Sequence, residues 1–238
     1  MKKSAVLLFV AIFFLAAAAS AQQPSATPQQ QQSPAPQLVE WSDDFSGDKL
    51  DEKKWEKFTF EGGAGGKLEV KDGEVKIRSA NGTRAGIRTK ESFSGDRFLV
   101  EGRVAKVGAA FPDAGGDSSK RGFATLTILF DSAGRNRIEW IFTSDGTLEA
   151  WSVVDGRGEQ LDNRKLGTKM KNPVLLVGRK GDEFTFFLND AKGAQQDAQP
   201  ALKATVKNMP KSFRVMLYGF GSSENNWDAV KIITPKSD

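Results

Sequence analysis

The sequence predicts an all-β domain, folded as a two-sheet antiparallel jelly-roll sandwich, set behind an export signal and a disordered linker. Three observations predict it. Apolar and polar residues alternate in segment after segment, glycine, aspartate and asparagine punctuate those segments, and helical periodicity is nearly absent. So many strands without crossover helices leave a sandwich or a barrel, and the sandwich is the reading adopted.

The chain opens with Lys2 and Lys3, an unbroken apolar run from Ala5 to Ala18, and Ala19-Ser20-Ala21, the small-residue pattern that signal peptidases accept. Residues 1–21 are therefore expected to be a signal peptide cleaved after Ala21. The run is shorter than the about 20 apolar residues of a membrane span. No cysteine follows it for acylation, so the mature protein is expected to be soluble and secreted or periplasmic, with no stable membrane insertion. Residues 22–37 are almost entirely Gln, Pro, Ser, Ala and Thr, with no charge and no aromatic ring to bury, which predicts a disordered linker. Residues 38–238 carry all five tryptophans and form the domain.

Within the domain, strands are expected at Lys67 to Val70, Glu74 to Arg78, Arg97 to Val107, Phe123 to Asp131, Arg137 to Thr143 and Thr147 to Val154. Further strands are expected at Pro173 to Arg179, Phe184 to Asn189, Leu202 to Val206, Phe213 to Tyr218 and Ala229 to Ile233. Turn residues separate them: Asp72-Gly73, Asp131 to Gly134, Ser144-Asp145-Gly146, Gly181-Asp182 and Asn189 to Gly193. Lys49 to Trp55 and the Gly- and Asp-rich stretch from Gly108 to Lys120 read as irregular.

One hairpin can be given a register. With Ser144-Asp145-Gly146 as a three-residue loop and Gly146 left-handed, Phe142 faces Leu148, Trp140 faces Ala150 and Ile138 faces Ser152 on the core side. The other side then carries Arg137 beside Val153, Glu139 beside Trp151 and Ile141 beside Glu149. A two-residue loop would set Phe142 against Glu149, which burial disfavours. The same alternation gives Glu101 and Arg103 one side of their strand, and Thr125 and Thr127 one side of theirs. If these strands share a sheet, one face is a bed of Glu101, Arg103, Thr125, Thr127, Arg137, Glu139, Glu149 and Trp151. Tyr218, the only tyrosine, joins it alongside Arg214.

Composition excludes several chemistries. There is no cysteine, so no disulfide and no thiol catalysis, and no histidine, so no Ser-His-Asp triad and no histidine metal site. The formal charge of +4 falls by the two units of Lys2 and Lys3 to +2, with acids and bases interspersed, which makes nucleic acid a poor partner.

The start of the domain reads Val39-Glu40-Trp41-Ser42-Asp43-Asp44-Phe45-Ser46-Gly47, then Leu50-Asp51 and Trp55, and its end reads Asn226-Trp227-Asp228-Ala229-Val230-Lys231-Ile232. Both ends resemble the concanavalin A-like lectin/glucanase jelly rolls, laminarinase-like glycoside hydrolases among them. The resemblance implies adjacent termini and a structural calcium held by Asp44 and Asp228 with backbone oxygens. It also implies a catalytic Glu-x-Asp-x-x-Glu strand, but that pattern occurs nowhere in this chain; the corresponding segment, Arg137 to Phe142, has Glu139 as its single carboxylate.

Glu139 and Glu149, as diagonal neighbours about 7 Å apart at their β-carbons, are the only candidates for a catalytic pair, and a solvated strand face carries such pairs routinely. Trp151 beside Glu139 is either a flat ring for sugar C–H contacts or a core residue under a loop. The leading expectation is an exported, non-catalytic carbohydrate-binding domain whose ligand, a polysaccharide or glycan, meets Trp151, Glu139, Arg137, Glu101, Arg103 and Tyr218. The alternatives are a glycoside-acting hydrolase with acids outside the usual motif, and a structural or protein-interaction module.

Overall fold

The structure is a computed structural model that describes residues 37–60, 66–79, 83–108, 121–166, 170–190, 200–220 and 223–236. The expected signal peptide, nearly all of the expected linker and residues 109–120 of the expected loop lie outside these residues. The strands are β1 Leu38–Asp43, β2 Trp55–Thr59, β3 Lys67–Lys71, β4 Glu74–Arg78, β5 Arg84–Thr89, β6 Phe93–Ser94, β7 Arg97–Val107 and β8 Phe123–Leu129. They continue as β9 Arg137–Thr143, β10 Thr147–Val154, β11 Arg157–Lys165, β12 Pro173–Lys180, β13 Glu183–Asp190, β14 Leu202–Thr205, β15 Ser212–Phe220 and β16 Glu224–Pro235.

Two eight-stranded sheets pack face to face. The back sheet runs β14-β13-β12-β7-β16-β4-β3, with β1 also on β16, and the front sheet runs β11-β10-β9-β8-β15-β5-β2, with β6 on β15. The neighbours within each sheet are antiparallel, as the expected jelly roll requires. Two-residue turns at Asp72-Gly73 and Asp155-Gly156 put positive φ at both positions (56° and 76°, 51° and 83°), which matches the right-handed twist of the strands they join. Gly146 has φ 80°, and the β9–β10 hairpin has the expected register, with Phe142 opposite Leu148, Trp140 opposite Ala150 and Glu139 opposite Trp151.

The shared bed of polar residues is corrected by the topology. β7 pairs with β12 and β16 in the back sheet, whereas β8, β9, β10 and β15 lie in the front sheet. Glu101 and Arg103 therefore stand on the outer surface of the opposite sheet from Glu139 and Trp151. Alternation along a strand tells which side faces the core, but not which sheet the strand joins.

Between the sheets, the apolar alternates interdigitate around Trp55, Trp140, Trp227, Phe184, Phe186 and Phe213, each fully buried. Phe213 is the centre of an aromatic group, 4.2 Å from Phe98, 5.6 Å from Phe93 and 6.4 Å from Phe130 between ring centroids. Arg179 closes that end of the core. It is buried, its guanidinium lies 5.2 Å over Phe130 and 5.3 Å over Phe184, and it donates to the carbonyls of Gly181, Met209 and Pro210. Burial pulls its pKa below the usual arginine value, and three carbonyl acceptors compensate the desolvated charge.

Those carbonyls end two loops, so removing the donor leaves buried acceptors unpaired. Arg179→Met is expected to lower unfolding stability by about 3 kcal/mol in denaturant titration. A change under about 1 kcal/mol would show that the loops find other donors.

Candidate functional site

The outer face of the front sheet is built from two rows that cross the strands. One runs Trp151, Glu139, Thr127, Met216, Arg88, Glu56, and the other Glu149, Ile141, Thr125, Tyr218, Gly86, Phe58, each residue opposite the next. Five of the six site residues with sequence numbers above 120 thus share a face: Arg137, Glu139, Glu149, Trp151 and Tyr218. Asp228, the sixth, lies in the back sheet.

Glu139 is the hub of the face. Its Oε1 accepts from the Tyr218 hydroxyl at 2.8 Å and from Arg137 Nε at 2.7 Å. Burial, with Glu139 beside it, raises the Tyr218 pKa well above the usual value, so the phenol stays protonated and acts as a donor. The expected face was solvated; the observed one is largely covered. Glu139 is 5% exposed, Tyr218 3% and Thr127 0%, and the Thr127 hydroxyl has no hydrogen-bond partner.

Part of the cover comes from a residue that sequence reasoning missed. Phe60, just past β2, packs with Leu129, Met216 and Tyr218 as a second apolar cluster on the outside of the sheet, its ring 5.6 Å from Tyr218 and 5.1 Å from Phe58. The Arg137 guanidinium lies 5.0 Å over the same ring. Gly134, in the turn between β8 and β9, makes room for it: φ there is 71°, and a β-carbon would collide with the Phe60 ring.

The face is accessible at its β11 edge. Trp151 is half-buried and, unlike Trp41, Trp55, Trp140 and Trp227, packs in neither apolar cluster. Its Nε1 donates to Glu149 Oε2 at 3.2 Å, and Arg121 holds Glu149 Oε1 at 3.3 Å. The exposed amides of Gln160 and Asn163, on β11, stand opposite Trp151 and Glu149. Ring, guanidinium, carboxylate and two amides make a set that binds polyhydroxylated ligands. A glycosidic acid/base pair needs a carboxyl group free to exchange a proton with substrate. Glu139 and Glu149 are both buried and engaged by donors.

The β1–β16 pairing ends with Asp43 opposite Val230, one residue from Asp44 and two from Asp228. The exposed Asp44 carboxylate accepts from the Ser46 amide at 3.1 Å, and the Ser46 hydroxyl and amide hold its pKa below the usual value. Asp228 faces Arg103 at 3.8 Å on the back sheet. Among the described residues no group of three or more acidic side chains converges, so a cation here would depend on backbone oxygens beside Asp44 and Asp228. A cleft of about 760 Å³ opens between the edges of β2 and β3, over Leu50, Trp55, Leu68 and Val70, but it lies away from the Trp151 face and its one large ring, Trp55, is buried.

Glu101, on the back sheet, sits 3.9 Å from Arg103; burial raises its pKa against the pull of Arg103 and Lys231. A raised folded-state value means that folding favours the protonated form, so its stabilising effect is present below the unfolded pKa and is lost as pH rises through the folded one. The stability of the protein relative to Glu101→Gln should therefore decline as pH rises above the usual glutamate value of about 4 in paired melting curves. A difference that grows with pH would contradict this.

No family model matches the sequence, and no curated protein matches it. Solved structures do match the fold. A non-specific endo-β-1,3(4)-glucanase of family GH16 is 12% identical with a TM-score of 0.60, over 90% of this chain and 95% of that one. A prokaryotic β-1,3-1,4-glucanase (lichenase) from a mouse hindgut metagenome is 13% identical with a TM-score of 0.58, over 82% of this chain and 98% of that one. The Bacillus licheniformis β-glucanase is 10% identical with a TM-score of 0.57, over 83% and 98%. With both sheets, their antiparallel order and these likenesses in agreement, the chain has the concanavalin A-like jelly-roll fold.

Proposed function

We propose that this chain is an exported, non-catalytic carbohydrate-binding domain that holds a glycan against Trp151 on the outer face of the front sheet. One observation carries the reading: of five tryptophans, Trp151 alone stands outside the apolar clusters, with its indole oriented by Glu149 and flanked by Arg121, Gln160 and Asn163. A flat ring takes the apolar face of a sugar, and the amides and guanidinium take its hydroxyls. The glucanase names of the fold neighbours agree with a glycan ligand. The sequence supports export through its N-terminal signal pattern. Glu139 acts from below, keeping Arg137 and Tyr218 in place.

Binding to a glycan array is the test, with Trp151→Ala beside the native protein. The variant should lose at least tenfold in affinity while unfolding stability changes by about 1 kcal/mol or less, as for a surface residue. A loss of about 3 to 5 kcal/mol would make Trp151 a core residue and remove the site. Hydrolysis of a bound glycan, abolished in Glu139→Gln, would replace the binding reading with an enzymatic one.

A further inference from the structure

We propose that the Trp151 site takes the end of a glycan chain, or a short oligosaccharide, and rejects the interior of a long polysaccharide. The inference rests on the carbohydrate-binding reading above and names its ligand class more narrowly. A chain crossing the sheet from Trp151 would follow the row Glu139, Thr127, Met216, Arg88. Phe60 stands in that path. Its ring reaches from the end of β2 over Met216 and Tyr218 on β15 and Leu129 on β8, as far as Gly134 at the β8–β9 turn.

The obstruction is fixed in place. Phe60 has the edges of Phe58 and Tyr218 on two sides, the Arg137 guanidinium on its face and Gly134 against its rim, and it is itself buried. Behind it, Glu56 accepts from Arg88 at 2.6 Å and from Arg214 at 2.9 Å, which ties the far end of the row into an ion-pair network. The accessible part of the face is the half-buried Trp151 and the exposed strand β11 beside it, one strand spacing or about 5 Å, room for the end of a chain. Phe60 is therefore the residue that sets ligand length.

The test counts chain ends. A β-1,3-1,4-glucan is immobilised at fixed mass, before and after cleavage to tetrasaccharides, and the bound protein is measured. Native protein should bind in proportion to the number of ends, so that capacity rises with cleavage. In Phe60→Ala, capacity should follow mass and be nearly unchanged by cleavage. Phe60→Leu, which keeps an apolar plug, is the companion if the alanine variant melts early, and it should shift the ratio in the same direction. Native capacity that follows mass would overturn the inference and leave the carbohydrate-binding reading standing. The same ratio in native protein and both variants would also overturn it. Absence of binding in any form would remove the binding reading itself, and this inference with it.

Discussion

Glu139 accepts two hydrogen bonds at one oxygen, from Tyr218 two strands away and from Arg137 on its own strand, and the shape of the front face depends on that junction. A carboxylate at the centre of a sheet face is costly to bury unless donors surround it. Here the donors come from side chains that also pack against apolar surface: the Tyr218 ring supports Phe60, and the Arg137 guanidinium lies over the Phe60 ring. Phe60 can therefore close over the middle of the sheet without stranding the charge. β8 is buried along its whole length, on both faces, with Leu129 in the Phe60 cluster. What remains accessible is displaced to the β10–β11 side, where Trp151 stands.

That displacement explains which parts of the site could be read from sequence. The β9–β10 register was legible because large apolar residues alternate strictly there, and a one-residue slip would have buried Glu149 against Phe142. Glu101 and Arg103 were assigned to the wrong face, because strand periodicity fixes the side and not the sheet. β11 was missed altogether: Arg157 to Lys165 is polar on both sides, with Leu161 as its one apolar residue, and offers no alternation. Its signal was local, the Asp155-Gly156 pair that makes a two-residue hairpin directly after β10. Phe60 gave no signal, since an aromatic residue beyond a strand end has no periodic partner. Only the three-dimensional proximity of Gly134 reveals its seat.

The opening of the domain is held by its own packing. Asp43, rather than Asp44, carries its weight: Oδ2 accepts from Trp55 Nε1 at 2.8 Å and lies 3.7 Å from Lys54, while Oδ1 accepts from the Phe45 amide at 3.0 Å. Trp41, Phe45 and Trp55 then meet edge to face or tilted at 5.4 to 5.7 Å. The closing motif is likewise internal. Trp227 is buried with its Nε1 on Asn225 at 2.6 Å, and the β-bulge around Asp228 turns that carboxylate toward Arg103.

The central claim is that Trp151 alone among the tryptophans meets the ligand. Two-dimensional NMR resolves one indole N–H signal per tryptophan and tests this most directly, with a β-1,3-1,4-glucan tetrasaccharide as titrant. The signal assigned to Trp151, by its absence in Trp151→Phe, should move progressively with added sugar, and the other four should hold still. A titration that moves the Trp55 or Trp41 signal, at the β2–β3 cleft, and leaves Trp151 in place would contradict the account.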